Sequence, residues 1–401
     1  MTDHSPRSDA LAWAAGSDAP EQNVLELGFM PLADAAPLIV AATQGFAQPY
    51  GLTLNLRRQP SWASLRDKLL CGELDAAQML YGQVYGIHLG LGGPATPMAI
   101  LMGLNQNGQS ITLGNALREA GVTSAEALRA RTHQGGAKLT FAHTFPTGTH
   151  AMWLYYWLAS HGIHPLRDVH SVVVPPAQMV AHLRAGRIDG FCAGDPWGAH
   201  AVDENQGFTV ATSQSIWPDH PEKVLGVTRE FVERCPNSAR ALSMALLEAC
   251  RFIDASPENR RSTVQLLSAA EFVGMPVATL EPRFLGQYQD GLGHAWQDAH
   301  ALRFFADGAV NMPYLSDGLW FLTQFRRWGL LRDDPTYHET VAAVHRLDLY
   351  REAAGALGIT VPPPLRGASL CDGQVWDGSD PAGYARSFAL HALDERRSAA
   401  V

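Results

Sequence analysis

The chain has 401 residues, too many for one compact core and enough for two lobes. Hydrophobic residues make up 46% and charged residues 17%, the make-up of a folded globular protein and not of a disordered one. The formal net charge of -9 excludes direct nucleic-acid binding, which needs a basic face, and leaves an anionic ligand to be drawn in by local donors alone.

Residues 1–22 read as a flexible arm. No apolar run of signal-peptide length follows Met1, no cysteine precedes Cys71, and no run long enough to span a membrane occurs anywhere. The expectation is a cytoplasmic protein. Val24–Phe29 alternates apolar with other residues and predicts a first strand. Residues 34–46 predict a helix ended by Gly45, and residues 52–57 a second strand. Residues 61–70 predict a helix with Ser61 as N-cap and Trp62, Leu65 and Leu69 on one face. Residues 72–77 turn into a third strand. Strand, helix, strand, helix, strand implies βαβ units and a mainly parallel sheet.

An echo sits 114 positions on: Leu69, Gly72, Leu74 and Asp75 match Leu183, Gly186, Ile188 and Asp189. In both places proline precedes a helix, glycine ends it, and an apolar-plus-aspartate stretch follows. Two similar α/β lobes with a cleft between them are predicted. The expected boundaries are an arm over 1–22, a discontinuous first lobe over 23–110 and 221–350 that includes a mainly helical part, a second lobe over 111–220, and a tail over 351–401 that carries Pro362, Pro363 and Pro364.

Enzyme signatures are lacking: no GxSxG, no phosphate-binding lysine loop, no HExxH, and no strand-linked GxGxxG followed by an acid. The five cysteines (Cys71, Cys192, Cys235, Cys250 and Cys371) show no CxxC spacing, and the sixteen histidines form no ligand motif with them. Neither a metal nor a cofactor is expected. Four stretches invite a ligand. At 101–112 an apolar strand runs into a polar turn where Asn107, Gln109 and Ser110 bring donors, although the spacing alone slightly favours an ordinary turn. At 145–150, FPTGTH opens an apolar helix over 151–159. Thr147 or Thr149 is its expected cap, and His150 adds a donor to free backbone N–H groups, the alternative being a plain N-cap with a surface histidine. At 191–197, FCAGDPW places Gly194 for close backbone approach and Pro196 in a first helical turn, with Trp197 as core. Lys223, just before an apolar strand, is either a solvated charge or the counter-charge of an anion in a cleft.

The stretches 61–67 (SWASLRD), 72–77, 107–111 (NGQSI), 144–153 (TFPTGTHAMW), 174–180 (VPPAQMV), 191–197 and 216–226 (IWPDHPEKVLG) together resemble the NrtA-like nitrate-binding proteins of bacterial nitrate uptake, near relatives of the bicarbonate-binding proteins. The resemblance runs from Val24 to Tyr350. It implies an α/β, type II periplasmic-binding-protein fold and a nitrate site formed by Trp62, Gln109, His150, Gly194 and Lys223. Such a set is expected to offer donors only, which suits nitrate or nitrite over bicarbonate, since bicarbonate has a hydroxyl to give. With no export signal read at the N-terminus, the chain most resembles the cytoplasmic nitrate/nitrite sensor of NasS type. That resemblance implies an RNA-binding antiterminator (NasT type) as partner, held without the anion and released with it. The alternative is the receptor of a nitrate ABC transporter whose signal peptide is missing from the sequence. A third class, enzymes of the same broad fold, would need Cys192 as an active thiol.

Overall fold

The computed structural model describes residues 16–392; the greater part of the expected arm lies outside the described residues. Ten strands build two five-stranded sheets. The first takes β1 (Val24–Phe29), β2 (Thr53–Arg58), β3 (Ala76–Leu80), β4 (Met98–Gly103) and, from far along the chain, β10 (Lys223–Thr228), in the order β2-β1-β3-β10-β4. The second takes β5 (Gln109–Gly114), β6 (Thr140–His143), β7 (His170–Val173), β8 (Gly190–Gly194) and β9 (Gly207–Thr212), in the order β7-β6-β8-β5-β9. The two orders are the same pattern. In each sheet four strands run parallel and the fifth, β10 or β5, runs against both of its neighbours. Each antiparallel strand is the one that has just crossed from the other half, through residues 104–108 or 213–222. This is the type II arrangement. The second sheet begins with Gln109 and Ser110, which the expected boundary at 110/111 left in the first lobe.

The internal echo has a physical cause. The helices Trp62–Leu70 and Met179–Arg184 both end before a glycine of positive φ, Gly72 at 80° and Gly186 at 64°, where a side chain is disfavoured. The aspartate that follows closes the next strand onto the parallel strand beside it in the sheet. Asp75 Oδ2 accepts from the Glu26 N–H at 2.8 Å and Asp75 N–H donates to Glu26 O at 2.9 Å. Asp189 does the same with Thr140, at 2.7 and 2.8 Å.

Two apolar bodies hold the sheets. One covers a face of the first sheet with the helices Ala36–Thr43, Pro236–Asp254 and Leu347–Ala356. The other runs from the helix Trp62–Leu70 across to the second sheet. In its middle Trp153, Trp217 and Trp320 meet with ring centroids 4.7 to 5.9 Å apart. Trp217 lies in the second crossover, so the joint between the lobes is packed on aromatic rings. The tail packs down as well: Trp376 and Phe388 are buried against this body, and Arg366 binds Asp317 through both guanidinium and carboxylate forks, at 2.8 and 2.7 Å.

Candidate functional site

In α/β sheets of this kind ligands sit beyond the carboxyl ends of the strands, and here those ends face one another. From the first sheet, β1 runs into the one-turn helix Ala33–Ala35, which places Asp34. Ser61 caps the helix Trp62–Leu70 by accepting the Ser64 N–H at 3.1 Å, and the adjacent Trp62 turns inward, 1% exposed. Lys223 opens β10 opposite Leu80, the last residue of β3, and its backbone N–H is held by Asn105 Oδ1 at 3.1 Å. From the second sheet, Gln109 opens β5 opposite Gly194, which ends β8. His150 stands in the first turn of the helix Thr149–Ser160.

These five residues, each singled out from the sequence, converge. The Lys223 ammonium lies 5.6 Å from the centre of the Trp62 ring, within cation–π range. It is 2.8 Å from Asp34 Oδ2. A Cβ placed on Gly194 would lie 3.2 Å from that same oxygen and 3.5 Å from His150 Nε2, so the bare glycine keeps this passage clear. Trp62, Gln109, His150 and Lys223 are all buried. Trp62 Nε1, Gln109 Nε2 and His150 Nε2 have no hydrogen-bond partner within the protein, a costly condition for a buried donor unless a ligand completes it.

Two acids enter the cluster that sequence reasoning missed. Lys223 pairs with Asp34 and also with Glu222, whose Oε1 further accepts the Thr149 hydroxyl at 3.0 Å and lies 3.8 Å from His150 Nε2. The expectation of a lining made of donors alone is therefore corrected: Asp34 and Glu222 are acceptors beside the only ammonium in the cluster. In the sequence both look like surface acids. The one available signal was a Glu–Lys pair abutting an apolar strand, where solvated charges are out of place. A second correction concerns the helix start. Neither Thr147 nor Thr149 caps it; Gly148 is the N-cap, and the Thr149 hydroxyl goes to Glu222 instead. Asn107 and Ser110 lie outside the cluster. Asn107 serves the first crossover, donating to Asp219 at 3.2 Å, and Ser110 accepts from Arg283 at 3.0 Å. Pro196 occupies the N-cap of its helix, one residue before the position expected, and Trp197 is buried.

Burial sets the charge states. It drives the His150 imidazole far below its usual range, with Lys223 adding to the effect, so this ring is neutral. Nδ1 lies 2.6 Å from the Thr144 hydroxyl, and in the tautomer in which it accepts that hydroxyl's proton, Nε2–H is left to donate into the cluster. Burial alone would lower Lys223, but Asp34 and then Glu222 hold it above its ordinary value, so it is cationic. Burial raises Asp34 against the pull of Lys223. It pushes Glu222 up to about 7, again against Lys223 and with the charge of Asp34 adding to the rise. Cys192, the thiol an enzyme would need, is wholly buried, and burial pushes it well above the thiolate range. Among the described residues no group of three His, Cys, Asp or Glu side chains is placed to hold a metal ion, and no helix is long and apolar enough to cross a membrane.

The pattern of the NMT1-like family matches residues 18–268. The nitrate/nitrite binding protein NrtA of Synechocystis is 38% identical over 94% of this chain and 87% of its own length. The nitrate import ATP-binding protein NrtC of the same organism is 39% identical over 95% of this chain. The chain spans only 57% of the length of that relative. The crystal structure of the periplasmic nitrate-binding protein NrtA from Synechocystis superposes with a TM-score of 0.88 at 36% identity, covering 92% of this chain and 100% of that one.

Proposed function

As a member of the NMT1-like family and, within it, of the NrtA-type nitrate/nitrite-binding proteins, the chain has, we propose, the task of closing its two lobes on a nitrate-class monoanion as the solute-binding component of an import system. One observation carries this reading. Three buried donors from both lobes, the Trp62 indole, the Gln109 amide and the His150 imidazole, lack partners around a single ammonium, Lys223. A planar ion with three acceptor oxygens and one diffuse charge satisfies such a set, while a dianion such as sulfate overloads it. The five site residues are themselves buried, so the ion must enter with the lobes apart and be enclosed as they meet.

The narrower expectation of a cytoplasmic sensor holding an RNA-binding antiterminator finds no support among the relatives, which bear the names of import and binding components. The import reading is therefore preferred. Titration calorimetry with nitrate, nitrite, bicarbonate and sulfate tests the ligand: heat and saturation with nitrate are expected and none with sulfate. Absence of nitrate binding ends the reading. Cell fractionation and a pull-down with and without nitrate separate receptor from sensor, since only the sensor releases a partner protein on adding the anion.

A further inference from the structure

The three unpartnered donors are not the only unsatisfied atoms around Lys223. Two acceptors share their state: Glu222 Oε2, on a side chain that is wholly buried, and Asp195 Oδ2, whose carboxylate is already paired with the Arg283 guanidinium through Oδ1. The sister oxygen of Glu222, Oε1, is taken up by Lys223 and by the Thr149 hydroxyl. Asp34 differs: Gln78 donates to its Oδ1, and Lys223 to its Oδ2. The titratable groups around Glu222 come from every element of the cluster. Lys223 on its own strand is cationic, Asp34 after β1 is the competing acid, and His150 on the facing helix is neutral. Cys192 on β8 keeps its proton, and His143 and His220, which stand behind His150, are held by burial at about 4 and about 3.

An acceptor-only anion entering this cluster meets two difficulties. Two carboxylates and the anion would share one ammonium out of water, and uncompensated buried charge is strongly unfavourable. The unpartnered Oε2 would also add one more acceptor to a group that already lacks donors. A single proton removes both difficulties. Placed on Oε2, it neutralises one acid and turns the orphan acceptor into a fourth donor.

We propose that Glu222 is a proton-linked ligand residue of the anion site: nitrate is bound with Glu222 as the neutral acid, so that binding takes a proton from solution. The inference rests on the nitrate reading above. Glu222 takes the proton and not Asp34, because both oxygens of Asp34 are already engaged. Since burial holds the Glu222 carboxyl at about 7, the exchange falls in the neutral range. Below it the acid is already formed and binding costs no proton; above it each binding event must draw one in.

The test is nitrate titration of the full chain in two buffers of different ionisation enthalpy, at about pH 6 and about pH 8.5. At the higher pH the heat is expected to depend on the buffer with close to one proton taken up, and at the lower pH to depend on it little. Affinity is expected to fall roughly tenfold per pH unit above neutrality. Glu222→Gln, whose amide donates at any pH, is expected to bind nitrate with buffer-independent heat and no fall in affinity across the range. Should that variant fail to fold, the wild-type buffer dependence decides by itself. Wild-type binding with equal affinity at both pH values and buffer-independent heat overturns the proposal and leaves the nitrate reading standing. No nitrate heat at either pH brings down the nitrate reading, and the proposal with it.

Discussion

Lys223 balances two buried acids as well as any ligand, so its removal has two separable effects. Losing a charge-assisted hydrogen bond costs about 1.5–3 kcal/mol, so Lys223→Ala is expected to weaken nitrate binding roughly 10- to 100-fold, read by calorimetry. The same change strands Asp34 and Glu222 without a counter-charge, and breaking a buried pair by removing one partner costs about 3–5 kcal/mol. The variant is therefore expected to melt well below the wild type, and the gap is expected to widen from acid to alkaline pH as the stranded acids ionise. A melting temperature equal to the wild type at alkaline pH would take both acids out of the ion pair. Glu222 leaves its own trace in the protein without ligand. Its folded value of about 7 stands above the ordinary carboxylate value of 4.5, so the folded state holds the extra proton and this contribution to stability falls as pH rises between those values. The size is about 3.5 kcal/mol at most, taking roughly 1.4 kcal/mol per pKa unit. His143 and His220 act in the opposite sense over an overlapping window, because burial lowers them. The measurable quantity is thus the difference between wild type and Glu222→Gln, followed by chemical denaturation from about pH 4.5 to about pH 7.5. A flat difference would place Glu222 in a solvated setting. The five residues Trp62, Gln109, His150, Gly194 and Lys223 were legible because the motifs around them are long and ordered. Asp34 and Glu222 were not. Neighbours on a strand point to opposite faces, so nothing in the alternation of 221–226 announces that the carboxyl of residue 222 folds back onto the ammonium of residue 223.

The βαβ units at the scale of the element were open to reading because each strand and helix obeys its own period. The echo between residues 69–75 and 183–189 survives folding as one repeated device, an aspartate that clamps an N–H of the neighbouring parallel strand. Asp75→Ala and Asp189→Ala each strand one backbone donor, at Glu26 or Thr140. Each is expected to cost about 1–3 kcal/mol, by a similar amount because the two aspartates are half-buried alike. Combined, the two costs are expected to add, since they sit in different sheets. Urea denaturation of the single and double variants checks this; a large loss from one site and none from the other would break the equivalence of the lobes. The start of the helix Thr149–Ser160 was harder to read. Its sequence offers threonines on both sides of Gly148, and local preference favours a hydroxyl cap. The tertiary structure overrides that preference because Glu222 arrives from the other lobe and takes the Thr149 hydroxyl. Local rules fail here at the point where a contact between lobes competes with them.

For the molecule as a whole the question is what holds the lobes together once the ion is inside. The crossovers 104–108 and 213–222 connect them, the tryptophan cluster packs behind, and direct contacts span the front. The Ala33 N–H donates to Asp195 O at 2.9 Å, beside the site. Arg283, on the helix Val277–Phe284 that packs between the helical part and the second lobe, does more. It donates to Asp195 Oδ1 at 2.8 Å, to Ser110 Oγ at 3.0 Å and to Thr209 Oγ1 at 2.8 Å, all from a buried position. Burial raises Asp195, and Arg283 is the first charge that pulls it back. Arg283 touches none of the five ligand candidates, so its effect on affinity must run through the balance of open and closed forms. If closure is the binding-competent state, apparent affinity scales with the fraction closed. Losing the charge-assisted bonds of Arg283 costs closure about 1.5–3 kcal/mol, so Arg283→Gln is expected to weaken nitrate binding roughly 10- to 100-fold. Small-angle scattering is expected to show a larger radius of gyration than the wild type without ligand and the wild-type value at saturating nitrate. That recovery separates a clasp from a simple folding defect. A variant with wild-type affinity, or one that stays expanded when saturated, would remove Arg283 from the closure equilibrium.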